Sequence, residues 1–270
     1  MRAAPDHGAK KRFGQHFLHD GRIISRILQA LNPQPDDCIV EIGPGRGALT
    51  APLLQKIGKL RVVEIDRDVI EPLRAACGNA PGLEIHMGDA LKFDFAALAP
   101  NGGKLRLIGN LPYNISTPLL FHLLEQAHAV QDMLFMLQKE VVDRMAAGPG
   151  DDDYGRLSVA LAARAEVSYL FKVGPGAFNP PPQVDSAIVR LVPRPPSFEI
   201  LDWAMFDRVV TLAFGQRRKQ LGNSLRQIAA PADFEAAGLS PQERAERLSA
   251  EDFARLANRL ATTKAAQVGT

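Results

Sequence analysis

Asp37-Cys38-Ile39-Val40-Glu41-Ile42-Gly43-Pro44-Gly45-Arg46-Gly47-Ala48-Leu49-Thr50 is the stretch that decides the fold. Its first half is a short, mostly apolar run, the pattern of a strand buried in a sheet. A glycine-rich turn follows at Gly43, Gly45 and Gly47, and Ala48 opens a helix that continues through Leu54 and Ile57. Strand, glycine turn and helix in that order form the first βα unit of a nucleotide-binding sheet. The spacing is G-x-G-x-G, not the G-x-G-x-x-G of dinucleotide enzymes, and no Lys-Ser or Lys-Thr follows, so a P-loop is excluded.

The next two strands sharpen the reading. Leu60-Arg61-Val62-Val63-Glu64-Ile65-Asp66 ends in acid, and Glu64 lies where a carboxylate takes both hydroxyls of an adenosine ribose. Leu83-Glu84-Ile85-His86-Met87-Gly88-Asp89-Ala90 makes a third strand, with Asp89 placed to accept from an adenine amine. Taken separately, each acid has a simpler reading as a cap for the helix that follows. Glycine turn, Glu and Asp at the ends of three successive strands favour a pocket for S-adenosylmethionine over one for NAD. Such a ligand has no diphosphate to cradle.

The fourth strand, Leu105-Arg106-Leu107-Ile108-Gly109, runs into Asn110-Leu111-Pro112-Tyr113. This places an amide, a backbone carbonyl and an aromatic ring at the carboxyl end of a strand, the edge where open α/β sheets bind ligands. Asn110 Oδ1 and the Leu111 carbonyl can each accept one hydrogen of an exocyclic amine. Tyr113 can stack on the base, and Pro112 stiffens the turn and removes a donor. A strand-ending turn with a buried tyrosine is the simpler alternative.

Further along, a helix is expected from Ser116 to Leu124, a strand at Met133–Gln138 and a helix at Glu140–Ala147. Tyr154-Gly155-Arg156-Leu157-Ser158-Val159 leads into an alanine-rich helix. Strands at Val167–Val173 and Ala187–Val192 then end the sheet as a hairpin pair. Between them, Phe178-Asn179-Pro180-Pro181-Pro182 reads as a stiff polyproline segment that holds Phe178. That ring is either an aromatic wall of the pocket or simply packed under the loop. The expectation is a seven-stranded doubly wound α/β sheet over residues 1–197. A small, all-helical domain follows over 198–270, entered through Pro193-Arg194-Pro195-Pro196. Ser249 to Asp252 reads as a capping box for its last helix.

Composition limits the alternatives. The 270 residues are 46% apolar and 23% charged, an ordinary globular balance, and no apolar run approaches the roughly 20 residues of a bilayer span. Met1 to Arg12 is basic and has no apolar segment of a secretory signal. Cys38 and Cys77 show no metal or redox spacing, which suits a reducing cytoplasm, and no metal site is expected. The net charge is only +2, yet residues 1–26 carry six basic side chains against two acidic. Lys10, Lys11 and Arg12 form one basic cluster and Arg217, Arg218 and Lys219 a second. Two basic patches on a near-neutral chain point to nucleic acid, against a solvated helix face for either one alone.

With these residues in view, the chain resembles the small-subunit ribosomal RNA adenine dimethyltransferases over about Lys11 to Leu260. The resemblance is carried by Phe13-Gly14-Gln15-His16-Phe17-Leu18, Glu41-Ile42-Gly43-Pro44-Gly45, Gly88-Asp89-Ala90 and Asn110-Leu111-Pro112-Tyr113. Gln138-Lys139-Glu140-Val141, Tyr154 to Val159, Phe178 to Pro182 and Arg217-Arg218-Lys219 extend it. It implies a Rossmann-like, class I S-adenosylmethionine methyltransferase sheet. The implied product is two adjacent N6,N6-dimethyladenosines near the 3′ end of small-subunit rRNA. The substrate would be an immature 30S particle, with a part in its late assembly and a monomeric enzyme in the cytoplasm.

The resemblance places cofactor contacts at His16, Leu18, Gly43, Glu64, Asp89 and Asn110, with Gly45 in the same turn. Catalysis falls on Asn110, Leu111, Pro112, Tyr113 and Phe178. Many members carry Asn where this chain has His16, a change that a backbone contact survives. Adenine N6 needs its lone pair localised rather than a strong base, which agrees with a pocket lacking a catalytic histidine. The rival readings are a large-subunit rRNA dimethyltransferase conferring antibiotic resistance and a mainly non-catalytic ribosome-assembly factor.

Overall fold

The structure, a computed structural model, describes residues 16–216 and 219–268. A two-residue strand, β1 (Phe17–Leu18), precedes α1 (Gly21–Leu31). Asp20 caps that helix by accepting from the Arg22 and Ile23 amides, and Asn32 ends it in a left-handed conformation. Its Ile27, Leu28 and Leu31 are buried, as their helical spacing requires. The deciding stretch forms β2 (Cys38–Ile42) and α2 (Thr50–Ile57). Next come β3 (Leu60–Glu64), α3 (Ile70–Ala76), β4 (Leu83–Met87), β5 (Leu105–Asn110), α4 (Ser116–Glu125) and β6 (Val130–Gln138). The chain continues through α5 (Lys139–Ala146), α6 (Arg156–Ala162), β7 (Ala165–Val173), β8 (Phe178–Asn179) and β9 (Ser186–Pro193). Four helices finish it: α7 (Trp203–Gly215), α8 (Leu221–Ser224), α9 (Pro231–Ala236) and α10 (Ala250–Val268).

The seven expected strands form one mixed sheet in the order β4-β3-β2-β5-β6-β9-β7. The run from β4 to β6 is parallel, and β9 lies antiparallel to β6 with Met136 opposite Ile188. The closing pair is adjacent, as expected, with β9 inserted between β6 and β7. From β2 the order runs to β3 and β4 on one side and to β5 on the other. The ends of β2 and β5 are therefore the topological switch point, where such sheets open a crevice for a ligand. Ile27, Leu31, Leu53, Leu73, Val62, Ile108, Leu134 and Ile188 share one core beneath it.

At the opposite end of β5, Arg106 is 7% exposed and fully engaged. Its Nε and one terminal nitrogen donate to the two oxygens of Asp132 at 2.7 and 2.9 Å. The other terminal nitrogen donates to Asp37 at 2.7 Å, and the Leu31 carbonyl accepts at 2.7 Å. These contacts hold the guanidinium pKa above its already high ordinary value, the hydrogen bond to Asp132 being the largest cause.

The chain divides into two compact units, Met1–Val142 with Ser168–Pro193, and Asp143–Val167 with Arg194–Thr270. These compact units do not coincide with the expected division at 197/198: residues 143–167 go with the helices, and the later boundary falls at 193/194. The physical reason is the second core. Tyr154, Val159 and Ala163 pack with Phe206, Val210, Leu225, Phe234, Phe253 and Leu256, and the Tyr154 hydroxyl donates to the Leu248 carbonyl at 2.8 Å. The expected capping box closes reciprocally: Ser249 Oγ accepts from the Asp252 amide at 3.2 Å, and Asp252 Oδ2 accepts from the Ser249 amide at 2.8 Å.

Candidate active site

A cavity of about 270 Å³ opens at the switch point. Its floor is the glycine turn. Gly43 and Gly45 have φ of 67° and 53°, and a Cβ on Gly45 would come within 3.2 Å of the Phe17 ring. Only glycine combines that backbone with that approach. Glu64 closes one side and is 6% exposed. Its Oε1 accepts from the Ile65 and Asp66 amides at 2.9 and 2.8 Å, while Oε2 has a long contact of 3.4 Å from the Gly45 amide. Burial pushes its pKa up, and these amide hydrogen bonds oppose the rise. Asp89 spends Oδ1 on the Leu91 amide at 3.0 Å.

Glu41 also lines the cavity. It is 2% exposed, its Oε2 has no hydrogen-bond partner, and burial raises its pKa from 4.5 to about 7. A buried carboxyl oxygen without a partner is costly, and such atoms mark functional sites or ligand positions.

The wall opposite comes from the end of β5. A Cβ on Gly109 would sit 2.5 Å from the Ile42 carbonyl oxygen, so glycine is what lets β5 close on the end of β2. The Leu111 amide donates to the Met136 carbonyl at 3.1 Å, which fixes the turn. Asn110 Nδ2 donates to the His16 carbonyl at 3.0 Å. A carbonyl can only accept, so this contact sets the amide's orientation and leaves Oδ1 as its acceptor end. Tyr113 is half-buried, its hydroxyl is 2.8 Å from Ser186 Oγ, and burial pushes its pKa up. The His16 ring stacks on Tyr113 with centroids 5.7 Å apart and planes 30° apart. His16 Nδ1 in turn donates to the Pro180 carbonyl at 2.8 Å.

Ten of the expected site residues therefore surround one cavity: His16, Leu18, Gly43, Gly45, Glu64, Asp89, Asn110, Leu111, Pro112 and Tyr113. Phe178 is not among the residues that line it. It is 3% exposed, pairs with Leu18 in the β1–β8 ribbon and belongs to the core under the sheet. The polyproline reading also changes at its start, because Phe178-Asn179 is strand.

Lys10, Lys11, Arg12, Arg217 and Arg218 lie outside the described residues. Lys219 is exposed in the loop between α7 and α8, and a bridge between Gln220 and Arg244 brings exposed Arg244 close to it. Sequence reading missed Arg244, and also Glu41, Ile65 and Asn114 on the cavity lining. Glu41 had a signal, an acid one residue from the end of an otherwise apolar strand. Arg244 had none, since it comes near Lys219 only through the Gln220–Arg244 bridge. Among the described residues no group of three acidic, His or Cys side chains could hold a metal, and no helix is long and apolar enough to cross a membrane.

The donor set fits an adenosine attached to an amino-acid tail: two strand-end acids and the orphaned Glu41 oxygen share a cavity with no phosphate cradle. The sheet and this pocket define a Rossmann-like methyltransferase. The family model for ribosomal RNA adenine dimethylase matches residues 6–262, and the chain belongs to that family. It is 59% identical over 251 residues to "Ribosomal RNA small subunit methyltransferase A" of Xanthomonas campestris, covering 93% of this chain and 95% of that protein. The protein of the same name from Pseudomonas aeruginosa is 54% identical over 256 residues, with 94% and 96% covered. Among solved structures, a dimethyladenosine transferase from Plasmodium falciparum superposes with a TM-score of 0.78 at 26% identity, covering 92% of this chain and 98% of that one. The 23S rRNA methyltransferase ErmE gives 0.67 at 28%, covering 91% and 99%.

Proposed function

We propose that this enzyme transfers methyl groups from S-adenosylmethionine to N6 of two adjacent adenosines near the 3′ end of small-subunit rRNA, giving N6,N6-dimethyladenosines. It works on an immature 30S particle, as a cytoplasmic monomer with a part in late subunit assembly. The observation that carries this reading is the orientation of Asn110, whose amide nitrogen is spent on the His16 carbonyl beside the Tyr113 ring.

S-adenosylmethionine supplies an electrophilic methyl on a sulfonium. Glu64 takes the ribose hydroxyls through its less-engaged oxygen, Asp89 accepts from the cofactor's adenine amine through Oδ2, and Glu41 receives the amino-acid ammonium. On the substrate side, Asn110 Oδ1 and the Leu111 carbonyl each accept one hydrogen of the target N6. That draws its lone pair out of conjugation with the ring. Tyr113 stacks on the target base, worth roughly 1–3 kcal/mol. The base must be unpaired or flipped to reach this depth. Lys10, Lys11, Arg12, Arg217, Arg218 and Lys219 contact rRNA phosphates. Phe178 acts from the core by holding Leu18 in the ribbon.

The test is methyl transfer to immature 30S particles, with free large-subunit rRNA as competitor and Asn110→Ala as control. Dimethyladenosine in small-subunit rRNA alone is the expected product. Modification of the large-subunit RNA would shift the assignment to the activity named for ErmE. Particle binding without any transfer would leave an assembly factor.

A further inference from the structure

Tyr113 is restrained at two points. Its hydroxyl meets Ser186 Oγ at 2.8 Å. Ser186 is fully buried and opens β9, opposite Gln138 of β6, so it is anchored in the sheet. On its face, the ring stacks against His16. His16 is itself fixed three ways: its Nδ1 donates to the Pro180 carbonyl, its carbonyl accepts from Asn110, and the neighbouring chain is laddered to β8. The His19 amide extends that ladder to the Ala177 carbonyl at 3.0 Å. Nothing in these contacts needs the imidazole as a cofactor ligand. Its Nδ1 turns to the Pro180 carbonyl and its ring face to Tyr113, the ring that takes the target base on the proposed reading.

We propose that His16 and Ser186 are positioning residues that clamp Tyr113 as a preorganised platform for the target adenine. On this assignment the His16 side chain serves the RNA side of the site and only its backbone serves the cofactor side. The inference rests on the reading that Tyr113 stacks on the target base. A tyrosine free to change rotamer would have to be ordered at each encounter, and that cost shows as weaker productive RNA binding. The Ser186 bond also commits the phenol hydroxyl, so Tyr113 contributes through its ring face and not as an acid or base.

The experiment compares His16→Asn, Ser186→Ala, Tyr113→Phe and the Ser186→Ala/Tyr113→Phe pair in the full chain. Three quantities are measured: S-adenosylmethionine affinity by calorimetry, KM for immature 30S particles, and single-turnover methyl transfer. Thermal melts check folding. Each single variant should keep its cofactor affinity and raise KM for the particle by on the order of tenfold. Ser186→Ala and Tyr113→Phe should match, and the double variant should be no worse than either, because both remove one bond. Ser186→Thr should restore KM.

Weakened cofactor binding with an unchanged particle KM in His16→Asn would make the imidazole a cofactor ligand and overturn the assignment. Additive losses in the double variant would overturn the clamp at Ser186. Should Ser186→Ala fail to fold, Tyr113→Phe reads the same bond from its other end. A wild-type chain unable to methylate the particle would instead overturn the function proposed above; active wild type with wild-type variants overturns only the clamp.

Discussion

Strand β5 carries Arg106 near its first residue and Asn110 at its last, and the two surroundings differ in kind. Around Arg106, two carboxylates and a carbonyl are arranged so that the buried guanidinium donates four hydrogen bonds between 2.7 and 2.9 Å. Around Asn110, the cavity holds Glu41 with an oxygen that has no partner, Glu64 with one weakly engaged oxygen, and a glycine whose Cβ position lies 2.5 Å from a carbonyl oxygen. At one end the Arg106 guanidinium is satisfied from within the fold, and only the neighbouring Arg190 Nε, 3.7 Å from Asp132, has no hydrogen-bond partner. The other leaves polar atoms to be completed from outside. Departures from full satisfaction gather where a protein does its chemistry, and this strand separates the two demands by about four residues of length.

That contrast can be broken by exchanging the outcomes. Arg106→Ala leaves Asp37 without its cation and Asp132 with only the longer contact to Arg190 at 3.7 Å, and removing one member of a buried ion pair costs about 3–5 kcal/mol. The expected result is a large loss in denaturant stability with near-normal transfer per folded molecule. A loss of transfer at unchanged stability would erase the distinction.

At the other end, Glu41 ties stability to pH in the opposite sense from a paired acid. Its pKa is raised to about 7 in the folded chain from 4.5. Between those values the unfolded chain gives up the proton while the folded chain keeps it. The stability present below pH 4.5 is therefore lost as pH rises through about 7. Glu41→Gln removes this dependence and should be more stable than wild type by about 3 kcal/mol at pH 8, and about equal at pH 4. Unfolding curves at both values check it, and equal differences at both would show that folding does not raise the Glu41 pKa.

Asn110→Ala completes the series at this end. It should lower single-turnover transfer on the order of 100-fold at saturating cofactor and RNA. Its melting temperature should stay near the wild-type value. An unchanged rate in a folded variant would reduce Asn110 to a turn residue.

Most of the sheet was legible because buried strands announce themselves as apolar runs, and the acids that end β3 and follow β4 stand out against such runs. What escaped the sequence was tertiary. Arg106 sits inside an apolar run, but its partners Asp132 and Asp37 are 26 and 69 residues away. His16 meets Asn110 across 94 residues, so its side chain could not be assigned to the base side or the cofactor side. Phe178 has the composition of a pocket wall, and only the ribbon with Leu18 shows which way it packs. The Tyr154–Ala163 pattern is that of any buried helix, and the pattern alone does not say which of two cores it joins. The helix-like run around Cys77 is α3, but its seven residues include Pro72 and leave too little helical period to read its bounds.

The smallest expected effect concerns charges that neither end of β5 resembles. Lys219 and Arg244 are exposed on the helical unit and brought together by the Gln220–Arg244 bridge. An exposed cation adds little to stability, so Lys219→Ala with Arg244→Ala should leave unfolding almost unchanged. Their effect should show in the salt dependence of particle binding instead. Each phosphate left without its cation flattens the log–log slope by about 0.7–0.9, so the pair should reduce it by roughly 1.5. The cofactor site lies in the other unit, and cofactor affinity should not move. Binding measured across a salt series separates the possibilities. A slope reduced by half that amount would assign phosphate binding to Lys219 or Arg244 alone, which the single variants then identify. A slope equal to wild type would make the loop a solvated face and put the RNA contacts on the remaining basic residues.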